Sequence, residues 1–137
     1  MLRFFLILSI LGYALSAEDN YEQKLYESIL PKIFHKSNVQ IFINNSEAKK
    51  VLKMSTILTI VQKCTDADIL IGNSFTKEES SCQKKPSFAL DYRAYKRSKN
   101  AIGAFYWRKG RPQITFNKDA FEHHKLTIPK SLQKYVQ

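Results

Sequence analysis

The chain predicts an α/β fold: a single-domain three-layer sandwich whose mixed, mostly parallel sheet ends in a C-terminal β-hairpin. Three observations carry this. Apolar, β-branched runs at 39–43, 56–61 and 67–72 are separated by segments of helical character, the order that gives parallel βαβ pairing. Residues 101–107 and 113–116 flank Arg108-Lys109-Gly110-Arg111-Pro112 as a hairpin does, which adds antiparallel strands. No linker, repeat or low-complexity stretch divides residues 18–137, so they form one domain large enough for a single core.

Each element has a local cause. Residues 1–17 read as a cleavable signal peptide: Met1-Leu2-Arg3 gives a positive start, an apolar run follows, and small residues precede Glu18-Asp19. The apolar run is about twelve residues, where a spanning helix needs ~20. Cleavage after Ser16 or Ala17 is therefore expected, leaving about 120 residues in the periplasm or, as second choice, secreted. Residues 18–34 form an amphipathic helix with Leu25, Ile29 and Ile33 at helical spacing, Tyr21 and Tyr26 near them, and Pro31 placed to kink or end it. Asn44-Asn45 stops the first strand; Ser46 is expected to cap the next helix, with Glu47 in its first turn. Cys64-Thr65-Asp66 is a turn before the strand at 67–72. Thr76-Lys77-Glu78-Glu79 has capping-box spacing and predicts a short helix. Residues 86–90 are a strand and 91–98 a loop or helical turn. Gly110 supplies the permissive hairpin turn. Asn117 and Asp119 can cap a helix through His124, and residues 128–135 form a closing helix with Pro129 in its first turn.

Charge narrows the partners. The net charge is +10, and loss of Arg3 with the leader lowers it by one. Nucleic acid is the usual partner of a basic domain, but export argues against it. An anionic membrane surface, a cell-wall polymer or an acidic protein face fits better; lysines that only keep the protein soluble fit as well. Nine Phe and seven Tyr leave a homodimer face open. Cys64 and Cys82 in an oxidising compartment point to one disulfide, closing about seventeen residues and worth ~3 kcal/mol. No metal or cofactor is expected: His35 stands alone, His123-His124 are adjacent, and there is no Cys-x-x-Cys.

No catalytic set is expected either. Ser74 lies past a strand end, but Gly72-Asn73-Ser74-Phe75 lacks the second Gly of a nucleophile elbow. Asp66 and Asp68 could form a carboxylate pair, although Asp66 suits the turn and Asp68 the strand start. There is no phosphate-binding loop, and Asn44-Asn45-Ser46 has a sequon's form but reads as turn and cap. The hairpin is the main candidate partner-binding feature, through Tyr106, Trp107, Arg108, Lys109 and Arg111. In a strand Phe105 and Trp107 face opposite to Tyr106. These aromatics therefore either meet covering layers or form an interface, with residues 91–97 as a basic, tyrosine-rich rim. Asn73 and Ser74, at a strand end, are the alternative small-ligand residues.

Cys64-Thr65-Asp66-Ala67-Asp68-Ile69-Leu70-Ile71, the pair Ile102-Gly103-Ala104-Phe105 and Gln113-Ile114-Thr115-Phe116-Asn117, and the run from Ala120 to Val136 together resemble the YfiR-like periplasmic regulators. The likeness is one of hydrophobic spacing and covers roughly residues 39–137; the hairpin here is more basic and aromatic than the family pattern. The resemblance implies a small exported α/β protein without catalytic activity. Such a protein binds the periplasmic domain of a membrane signalling protein, a diguanylate cyclase or sensor kinase, and so bears on cyclic-di-GMP output. It carries over no binding residues. The competing expectation is a single-lobe periplasmic solute-binding protein for a small anion.

Overall fold

Val39, Ile41 and Ile43 are buried on one face of β1 (Val39–Ile43), with Phe42 on the other. Apolar residues on both faces require cover on both sides of the sheet. The computed structural model describes residues 21–137; the signal-peptide reading of residues 1–17 lies outside them. The sheet has six strands in the order β2-β1-β3-β4-β5-β6. β1, β2 (Leu58–Ile60), β3 (Ile69–Ile71), β4 (Ser87–Ala89) and β5 (Ala101–Arg108) are parallel, and β6 (Arg111–Phe116) is antiparallel to β5. This is the expected fold class, hairpin included.

One face is covered by helix α1 (described over 21–34), α2 (Ser46–Leu52), α4 (Lys118–His123) and the closing 3₁₀ turn Lys130–Tyr135. Tyr26, Ile29, Leu30 and Ile33 of α1 meet Ile41, Phe88, Phe105 and Phe116 there in one core. On the other face α3 (Tyr92–Arg97) packs Ala94 and Tyr95 on Ala89, Ala101 and Ala104. Beside it lie Cys64, Ala67, Leu70 and Cys82, joined by the Cys64–Cys82 disulfide, whose Cα atoms are 5.9 Å apart. The small residues under α3 let the backbones approach; the aromatic side of the sheet needs more depth. Gly103 serves that side. A Cβ there would come within 2.6 Å of Phe88 and 2.7 Å of the Thr115 carbonyl. The ladder shifts register beside it, so Ala101 pairs with Ser87 and Gly103 with Phe88, leaving Ile102 as the extra residue of a bulge. Tyr26 is fully buried, edge-on to Phe88 at 5.5 Å, and its hydroxyl has no hydrogen-bond partner. Burial pushes that phenol well above its ordinary range, and the charge of Glu22 adds to the effect.

Several local expectations are corrected. α1 runs through Pro31 to residue 34 and ends where His35 turns left-handed at φ 53°. Asn45, not Ser46, caps α2: its backbone is extended and its Oδ1 accepts from Ala48 N at 3.0 Å, so Ser46 is already the first helical residue. The box at Thr76–Glu79 starts no helix. The apolar residue that follows, Cys82, is buried in a separate 3₁₀ turn by the disulfide, and Gln83 Nε2 donates to the carbonyls of Thr76 and Glu78. β2 begins only at Leu58 because Ser55 Oγ accepts from the amides of Ile57 and Leu58. Residues 91–98 resolve as a helix, with Asp91 accepting from Ala94 N at 2.6 Å. Pro129 stands just before the closing element, which is 3₁₀ rather than α. Asp66 and Asp68 do not pair as carboxylates: Asp66 ends a 3₁₀ turn, while Asp68 accepts from Lys36 Nζ and Gln40 N.

Candidate functional site

Strand order reverses at β1, whose neighbours β2 and β3 are reached by connections on opposite faces. Ligand crevices of α/β sheets form at the carboxyl ends of strands beside such a point. Here those ends carry Asn44-Asn45 after β1, Gly72-Asn73-Ser74 after β3, Leu90 after β4 and the outer half of β5. Asn44 Nδ2 donates to Ser74 O at 2.6 Å and Asn73 Oδ1 accepts from Leu90 N at 2.8 Å, which ties the loops together. Asn44 thus holds the turn, and the cap falls on Asn45 rather than on Ser46.

β5 is eight residues long and outlasts its covering helices. Phe105 is therefore 3% exposed, whereas Trp107, two residues further on the same face, is 42% exposed. Trp107 lies edge-on to Phe105 at 5.8 Å and beside Tyr21 at 6.1 Å. On the opposite face Tyr106 meets Tyr92 at 5.8 Å, and Lys96 Nζ stands 5.6 Å over the Tyr92 ring. The alternation expected for this strand is present: Phe105 is core and Trp107 is exposed. The tyrosine contact also joins the α3 rim to the hairpin.

The hairpin turn is two residues, Lys109 at φ 51° and Gly110 at φ 75°, tighter than the five-residue turn read from sequence. Arg108 pairs directly with Arg111 across it. Two like charges opposite each other are unfavourable, and Arg108, Lys109 and Arg111 are all exposed. Among the described residues the ion pair present is Lys36–Asp68, remote in sequence from this end. Among the described residues no carboxylate forms an ion pair with the cations of the tip.

Two concavities meet at Asn73. A groove of about 350 Å³ is lined by Asn45, Glu47, Asn73, Leu90, Tyr106 and Trp107, with Glu22 on its α1 side. A second cleft, of about 420 Å³, lies on the α3 face between α3 and the disulfide loop and takes in Asn73, Ser74, Thr76, Gln83, Ser87 and Arg97. The structure thus brings Asn73 together with Tyr106 and Trp107, and places Ser74 in the neighbouring cleft. Arg108, Lys109 and Arg111 line neither. Sequence reasoning missed Ser87 and placed Arg97 only in the rim of the hairpin, not in this cleft; the Asp91 cap that turns α3 over the sheet was the available signal.

No family model matches this chain, and no curated protein matches it. A solved structure of a conserved domain protein from Vibrio cholerae O1 biovar eltor strain N16961 aligns at a TM-score of 0.49 and 15% identity. The alignment covers 87% of this chain and 58% of that one, so this chain spans less than two thirds of that structure's length. Among the described residues no helix is long and apolar enough to cross a membrane.

Proposed function

We propose that this is an exported, non-catalytic regulatory protein that docks onto the extracytoplasmic domain of a membrane signalling protein through the end of its β5–β6 hairpin. The observation that carries the reading is the pairing of exposed Trp107 and Tyr92 with Arg108, Lys109 and Arg111, which have no ion-pair partner among the described residues, at the end of a two-strand ribbon. Aromatic and Arg anchors on a preorganised element are what interface hot spots are made of, and an acidic partner surface complements the tip. The disulfide agrees with an oxidising compartment. The resemblance to YfiR-like regulators points to a cyclase or sensor kinase as partner class.

The test is photo-crosslinking in the native envelope from a reactive residue at Arg108, with and without the Trp107→Ala/Arg111→Glu pair. The expected product is an integral membrane protein with a cytoplasmic cyclase or kinase domain, reduced at least about tenfold by the double substitution. A yield unchanged by that substitution, or products that are all soluble, would sink the reading. A second reading, a single-lobe binding protein for a small anion, is favoured by one observation: Asn73 and Ser74 both border the cleft beside α3.

A further inference from the structure

The cleft beside α3 lies between that helix and the disulfide loop and opens to solvent. Its volume, about 420 Å³, lies within the usual range for small-molecule sites, ~300–1,000 Å³. Its floor is apolar and small, with Leu70, Ala89, Ala94, Ala101 and the disulfide half Cys82. Into this floor projects Ser87, which is 4% exposed and lines the cleft. Its backbone N–H is held by Asn100 O at 2.9 Å, which fixes the residue on the cleft wall. A hydroxyl on the wall of a cavity can donate to or accept from a group that enters.

The charge of the lining is one-sided. No carboxylate borders the cleft, whereas Lys85 and Arg97 do. Lys85 Nζ donates to the carbonyls of Thr65 and Ala67, both at 2.7 Å, which fixes it and leaves the third of its donors. Arg97 is exposed in the last turn of α3 and, among the described residues, has no carboxylate partner. A guanidinium in that state is suited to bidentate capture of a carboxylate.

We infer that this cleft binds a small organic anion, its carboxylate at Arg97 and Lys85 and its apolar body over Ala89 and Ala101, with Ser87 as a hydrogen-bond partner inside. The occupant is organic rather than inorganic because the cavity is many times larger than a phosphate and its floor is apolar. This deepens the second reading above but needs no transporter, and it is independent of the hairpin: failure of the crosslinking leaves it standing.

The experiment is an amide-resolved NMR titration of the exported protein with hexanoate, with hexanamide and inorganic phosphate as controls. Hexanoate is expected to move the amides of Ser74, Gln83, Ser87 and Asn100 saturably, with a Kd of about 1 mM. Hexanamide should bind at least about tenfold more weakly, and Arg97→Gln should weaken hexanoate by a similar factor. Lys96→Gln, on the same helix but outside the cleft, should leave it unchanged. Absence of saturation, shifts confined to the hairpin, equal binding of hexanamide or phosphate, or indifference to Arg97→Gln would each overturn the inference.

Discussion

Lys109 occupies the left-handed region at φ 51°, followed by Gly110 at φ 75°. A two-residue hairpin turn with both central φ values positive is best served by Asn-Gly. A side chain such as lysine costs roughly 1 kcal/mol there, more than Asn does. The residue present is therefore a poor choice for the turn and a useful one for a cationic tip, which is the kind of local conflict found at functional positions. Lys109→Asn is expected to raise stability in urea by about 0.5 kcal/mol. It should also weaken crosslinking from the tip. Stability and capture rising together would mean that Lys109 is merely tolerated.

At the scale of elements, what was readable from sequence depended on whether the cause was local. The β5–β6 hairpin was readable because Gly110 and the alternation of Phe105, Tyr106 and Trp107 are local signals. The face of α1 was readable from Ile29 and Ile33. The box at Thr76–Glu79 misled because a single buried residue, Cys82, follows it, too few to hold an α-helical turn. Sheet order, and with it the meeting of Asn73 with Trp107, depends on packing between distant segments and has no local signature. Nor does the place of Ser87 on the cleft wall, opposite Ala101 in the shifted ladder. The disulfide was readable in pairing but not in its place: it clamps two 3₁₀ turns, Cys64–Asp66 and Cys82–Lys84, against Leu70 on the face that α3 leaves open. Replacing both cysteines by serine is expected to cost about 3 kcal/mol in urea denaturation. The hexanoate response should fall with it, since the clamped loop is one wall of the cleft. A loss below about 1 kcal/mol would show that packing of Leu70 and Phe75 holds the loop without the bond.

For the molecule as a whole, the governing quantity is charge. With a net charge of +10 and a single ion pair among the described residues, each further proton adds to a self-repelling surface. His124 decides where this begins to matter. Its Nε2 is buried without a hydrogen-bond partner, and burial, with neighbouring His123 at 5.0 Å, holds its imidazole below the ordinary value of 6.5. The unfolded chain then binds a proton near pH 6.5 that the folded chain refuses. Stability is consequently flat with respect to this group above 6.5 and falls as the pH drops below it, levelling off once the folded imidazole is itself protonated. Thermal melts between about pH 8 and about pH 5 should show the melting temperature declining on the acid side, before the carboxylates titrate. His124→Gln should flatten that decline while leaving the neutral-pH value nearly unchanged. An equally steep decline in the variant would assign the acid sensitivity to the overall positive charge rather than to one buried imidazole.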